Sequence, residues 1–214
     1  MSAPFAQINQ GPPSATGKVT SPDALYLDRQ NNIAGTSGDG NQYVALQCVR
    51  NLQNAQTALS TITTAQALYT FALSKGEMNM LNRSYTLSGY AIYTSPGTTT
   101  PTFTFTLVLG GVTIATITTG AVSATASTNM PIQFEFTITV TATGASGSVE
   151  VHGEVDINLT ANTPAGVLTY YPDTNNAVIT GIPLTSANNL VLNISASSTI
   201  TSAQLRQAWL EVLL

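Results

Sequence analysis

Pro131-Ile132-Gln133-Phe134-Glu135-Phe136-Thr137-Ile138-Thr139-Val140-Thr141 alternates apolar and polar residues without a break. Successive side chains of a strand point to opposite faces. Ile132, Phe134, Phe136, Ile138 and Val140 therefore share one face, which is buried, and the Gln, Glu and Thr residues share the outward one. The same reading extends both ways. Downstream, Gly144-Ala145-Ser146-Gly147 turns the chain. Val149, Val151, Val155, Ile157 and Leu159 then mark the inner face of a second long strand. Upstream, Phe103, Phe105, Leu107 and Leu109 alternate with Thr102, Thr104, Thr106 and Val108. Gly110-Gly111 follows, the signature of a two-residue hairpin, because that turn needs positive φ. Further strands are expected at 68–73, 84–93, 112–119 and 177–180, from Leu190, and over 203–214. The segment 43–49 reads as a strand, and 52–62 as a short helix or an extended connector. About eight or nine strands separated by turn residues make an all-β chain, an antiparallel β-sandwich of jelly-roll type.

Composition narrows what such a sandwich does. The chain has 214 residues, of which 7% are charged, against about 25% in an ordinary soluble domain. Lys plus Arg is 6, Asp plus Glu is 10, and the net charge is −4. Six basic residues cannot build the phosphate-tracking patch that dominates nucleic-acid affinity. There is no apolar run of about 18 residues, so no membrane helix is expected. Met1-Ser2-Ala3-Pro4-Phe5 has no basic or apolar leader pattern, so no secretory signal is expected. One cysteine, Cys48, excludes an intrachain disulfide framework. Thr accounts for 34 residues and covers the outward strand faces, where soluble sandwiches usually carry Lys and Glu. Outer faces without charge point to burial among neighbours.

The first part of the chain is organised differently. Residues 1–23, with Gly11-Pro12-Pro13 inside, read as an extended arm. Ala24-Leu25-Tyr26-Leu27-Asp28, a polar Arg29-Gln30-Asn31-Asn32 and Ile33-Ala34-Gly35 read as a small hairpin. The expected division is an N-terminal arm, hairpin and connector over 1–65 and a β-sandwich over 66–214. The arm, the hairpin and a Thr-rich β domain ending in Ala203-Gln204-Leu205-Arg206-Gln207-Ala208-Trp209-Leu210-Glu211-Val212-Leu213-Leu214 resemble structural virion proteins of tailed bacteriophages. The nearest kinds are jelly-roll decoration, head-fibre and tail-associated proteins. Gly144-Ala145-Ser146-Gly147-Ser148-Val149-Glu150-Val151-His152-Gly153 resembles a strand-turn-strand common in them. The resemblance implies an arm that docks on the particle and a β domain that projects or trimerises. It carries over no functional residue.

Few residues offer chemistry. Glu150, His152, Glu154 and Asp156 share one parity on a strand, about 7 Å apart at each step. Such a set could meet a divalent ion, especially between subunits, but the plainer reading is the solvated face of a strand. Paired carboxylates also fit glycosidase spacing, as any adjacent same-face pair does. Cys48 and His152 lack the local context of a nucleophile pair, and Cys48 reads as a small buried hydrophobe. Gly38-Asp39-Gly40 is a turn and not a phosphate loop. Trp209 and Tyr170-Tyr171 could stack on sugars; for Trp209 packing is the expectation, while Tyr170, Tyr171 and Asp173, in a loop, are the ligand-contact candidates. The resulting expectation is a non-enzymatic capsid decoration or head-fibre protein of the virion. It needs no cofactor and binds neither nucleic acid nor membrane. Its partners are its own copies, as a homotrimer, and virion proteins such as the major capsid protein. The alternative is a tail-associated receptor- or carbohydrate-binding jelly roll, with loops 94–101 and 161–188 making the contacts.

Overall fold

A computed structural model describes the backbone of residues 25–27, 33–36, 42–44, 47–54, 58–60, 62–160, 167–173 and 177–213. Side chains are described in 58–60, 62–160, 167–173 and 177–212. The arm 1–23 and the Cys48 side chain lie outside the described residues, as do 161–166 of the second expected contact loop. The chain divides into two compact units, Met1–Cys48 and Val49–Leu214, where the sequence places the boundary at 65/66. In the first unit the expected hairpin is present, with β1 (Leu25–Leu27) antiparallel to β2 (Ile33–Thr36). β3 (Gln42–Val44) adds a third strand to it.

The second unit is a sandwich of two antiparallel sheets. Its strands are β4 (Gln47–Asn54), β5 (Gln66–Leu73), β6 (Ser84–Ser95), β7 (Thr102–Leu109), β8 (Val112–Ala121), β9 (Ser127–Ala142), β10 (Gly147–Asn158), β11 (Val167–Tyr170), β12 (Val178–Ile182), β13 (Asn188–Ala196) and β14 (Ser202–Leu213). One sheet runs β11-β10-β9-β6-β14-β4, with β12 also on β10, and the other runs β5-β13-β7-β8. The pairs are nested. β7 pairs with β8, β6 with β9, β5 with β13, and β4 with β14. A long hairpin rolled up in this way is a jelly roll, and β10, β11 and β12 extend one edge of it. The described residues of 52–62 form none of the helix weighed there. Residues 47–54 form β4, and Leu59 bridges to Ala203. Its Thr and Asn are poor helix formers, and the open flank of β14 gives the backbone a ladder to join.

Two local features show how sequence sets this architecture. Gly110 and Gly111 have φ of 57° and 84°, which closes the β7–β8 hairpin in two residues with Leu109 opposite Val112. The alternating residues then meet between the sheets. Phe103, Phe105, Leu107 and Leu109 from β7 are fully buried, as are Phe136, Ile138 and Val140 from β9. Tyr93 of β6 meets Phe103 edge-on across the gap, with ring centroids 4.9 Å apart. Two inner-face positions carry no side chain at all. Gly89 lies directly opposite Phe134, and Gly153 directly opposite Phe136. The rings lie over the bare backbone, so a Cβ on Gly153 would stand 2.5 Å from Cδ1 of Phe136.

Gly153→Ala is expected to overpack this site and cost about 2 kcal/mol, lowering the melting midpoint by roughly 4–8 °C. Pairing it with Phe136→Leu should recover part of the loss, as read by thermal denaturation. The Tyr69 hydroxyl is buried with no hydrogen-bond partner, a defect worth about 1–3 kcal/mol. Tyr69→Phe should therefore raise the midpoint. Burial also pushes the Tyr69 phenol from 10.0 up to about 12. The fold thus favours the protonated form. This contribution is whole below pH 10 and is lost as pH rises towards about 12. Urea denaturation at alkaline pH should find Tyr69→Phe losing less stability than the parent.

Candidate functional site

The outward face of the seven-stranded sheet carries a trough, and strand register builds it. Three polar rows cross the strands. Asp156, Gln133, Tyr90 and Gln207 lie side by side on β10, β9, β6 and β14. Glu154, Glu135, Ser88 and Trp209 form the next row, and His152, Thr137, Thr86 and Glu211 the third. One recess of about 250 Å³ is lined by Ser88, Gly89, Tyr90, Gln133, Phe134, Glu135, Glu154, Asp156 and Trp209. A second of about 350 Å³ is lined by Glu135, Thr137, His152, Gly153, Glu154 and Tyr171. Glu135 and Glu154 belong to both, so the two form one continuous hollow.

Its length follows from sheet geometry. Tyr171 stands just past the end of β11, and Trp209 is on β14, four strand spacings away. At about 4.8 Å per spacing the trough spans roughly 19 Å. Aromatic side chains wall both ends, with Tyr171 60% exposed at one and Tyr90 36% exposed beside Trp209 at the other. Between them the floor is low because Ser88 is small. Carboxylates and one amide supply hydrogen-bond acceptors along it.

Tyr171 reaches the trough through a break in the sheet edge. β12 pairs with Gly147–Glu150 of β10, and β11 with Val155–Asn158. Residues 151–154 have no strand on that side among the described residues. Past β11 the Asp173 N–H donates to the Thr116 carbonyl of β8 at 2.9 Å.

The sequence candidates therefore separate. Tyr171 lines the trough. Tyr170 has the opposite parity, and its hydroxyl would stand 2.8 Å from a Cβ on Gly120, so it packs against β8. Asp173 fixes the loop through its backbone. Of the strand set, Glu154 lines both recesses, Asp156 the first and His152 the second. Glu150 pairs with His152, with 3.3 Å between Oε1 and Nε2; exposed pairs of this kind contribute little. Among the described residues no three His, Cys, Asp or Glu side chains converge to hold a metal ion. Loop 94–101 takes no part in the trough, and Thr99 donates from it to the Thr199 carbonyl.

Sequence reasoning missed Tyr90, Gln133 and Glu135, and it weighed Trp209 for sugar stacking but preferred packing. Ala208, Leu210 and Val212 are buried, so alternation alone puts Trp209 outward, and an outward Trp in a chain with one Trp was the available signal. One electrostatic feature stands out. Glu154 and Glu135 are direct cross-strand partners, and like charges so placed destabilise a sheet.

No protein-family model matches the chain, and no curated protein matches it in sequence. Among solved structures it is similar to the CBM2 module of the evolved Dit of Lactobacillus casei BL23 phage J-1. The identity there is 8%, over 68% of this chain and 69% of that one, with a TM-score of 0.30. Sheep galectin-11 in complex with glycerol matches at 13% identity over 65% of this chain and 98% of that one, with a TM-score of 0.24. The alginate lyase from Klebsiella pneumoniae matches at 8% identity over 92% and 84%, with a TM-score of 0.20. These overlaps are too loose to say what this chain does.

Proposed function

We propose that the chain is a non-enzymatic protein of a phage virion that lays a carbohydrate chain across its seven-stranded sheet. The observation that carries this reading is the trough itself, with Trp209, Tyr90 and Tyr171 standing over a floor of acceptors. A sugar ring offers an apolar C–H face and a rim of hydroxyls. Aromatic rings match the first, and carboxylates and amides the second. Jelly rolls serve in both capsid and lectin domains, so the fold does not choose between them and the site must. The virion setting comes from the resemblance of the arm, hairpin and Thr-rich domain to tailed-phage proteins.

Two further points support the reading. Glu135 and Glu154 are direct cross-strand neighbours on one outward face, where both can accept from the hydroxyls of one ligand. The four strands of the opposite sheet, β5, β7, β8 and β13, contain no charged residue. Their outer face is neutral and rich in Thr, fit for packing against copies of the chain in a homotrimer or against the major capsid protein. That face favours the decoration role as a second reading, and one particle protein can combine both.

Glycan-array binding of the full chain tests the proposal. Trp209 is the chain's one tryptophan, so its emission should shift on binding. Trp209→Ala should weaken binding at least tenfold, about 1.4 kcal/mol, while leaving the melting midpoint within a few degrees. An array without a single hit would overturn the glycan reading. Electron cryo-microscopy of intact particles tests the virion setting separately.

A further inference from the structure

We infer that the trough selects a glycan bearing free ammonium groups, one of which sits between Glu135 and Glu154. This rests on the glycan reading and adds the charge class of the ligand. The first observation is the pair itself. Glu135 and Glu154 are directly opposed in the middle of the floor, with their Cβ atoms about 5 Å apart. Asp156 lines the same recess one row along. No Lys or Arg lines either recess. His152 is the one basic side chain there, and it already faces Glu150. A cation placed between the two carboxylates removes their repulsion, whereas a uronic acid or other anionic sugar would add to it.

A second observation, independent of the acids, says that the cation comes on a hydroxyl-bearing molecule. Ser88 adjoins Glu135 in the same row and is only 8% exposed. It faces the recess, and its hydroxyl makes no hydrogen bond among the described residues. Solvent in the recess is the partner left to that hydroxyl, since it is not among the fully buried unpaired atoms, and a ligand hydroxyl can take the place of that water. The third is the wall. Trp209 follows Ser88 in that row, and an aromatic face attracts an ammonium group as well as a sugar C–H face. Ammonium, hydroxyl and ring face are together the description of an amino sugar with its nitrogen unacetylated.

Matched oligomers test this with Trp209 emission on the full-length protein at mildly acidic pH. Chitosan oligomers carry free amines, chitin oligomers carry the same backbone with the amines acetylated, and hexalysine carries amines without sugar. Chitosan is expected to bind at least tenfold tighter than either. The preference should shrink at about 1 M salt, where the screening length falls to about 3 Å. In the Glu135→Gln, Glu154→Gln double variant, chitosan and chitin should bind alike. Thermal denaturation should show that variant folded and no less stable, since a like-charge pair has been removed. Equal binding of chitosan and chitin by the parent protein would overturn the charge selection and leave the glycan reading standing. Hexalysine binding as tightly as chitosan would overturn the amino-sugar assignment. Failure of every sugar, here and on the array, would overturn both readings together.

Discussion

Two phenylalanine rings resting on two glycines hold the centre of the seven-stranded sheet. Phe134 covers Gly89 and Phe136 covers Gly153, each pair directly opposed across adjacent strands. On the inner side this fills the sandwich, because a ring occupies the space that two ordinary side chains would share. On the outer side, Ser88, Tyr90, His152 and Glu154 flank those same glycines in sequence. The trough therefore sits over the best-anchored part of the sheet, and its floor is rigid because its reverse is close-packed core. A site on strands held in this way keeps its geometry better than one on loops.

Most of the fold was legible, and the reason is local. β7, β9 and β10 alternate so regularly that parity alone named their buried residues, and Gly110-Gly111 fixed a hairpin whose register follows from its length. The nested pairing was open to inference only as a class, since which strand joins which is a matter of distant contacts. The site was hardly legible. Tyr90, Gln133, Glu154, Tyr171 and Trp209 come from five separate segments and meet only through registers that no local pattern records. Glu150, His152, Glu154 and Asp156 attracted notice because they are close in sequence. Yet the neighbours that matter to Glu154 are Glu135 across the ladder and Tyr171 past the next strand. Tyr170 and Tyr171 show the limit of a loop reading, for one residue of difference sends one ring into the packing and the other to the surface.

The two outer faces of the sandwich differ in kind. The four-stranded sheet presents Thr104, Thr106, Thr116, Thr118, Asn193 and Ser195 and no charge. The seven-stranded sheet gathers Glu135, Glu150, Glu154, Asp156 and Glu211, half of the chain's 10 acidic residues. Thr suits a pleated surface on its own account, so a neutral face needs no special cause. A concentration of carboxylates on one face does, because it works against the stability of the sheet that bears it.

The nesting of strands also has a consequence in time. β14 is inserted between β6 and β4, so one flank of β6 stays open until residues 202–213 have left the ribosome. The hairpin of β7 and β8 closes over a short loop and can form early, while the outermost partners must find each other across most of the polypeptide. Chains dominated by such remote pairings fold slowly. Until the last strand arrives, β6 offers an unsatisfied edge to any passing strand, and a cell making many copies would have to shelter that edge during synthesis.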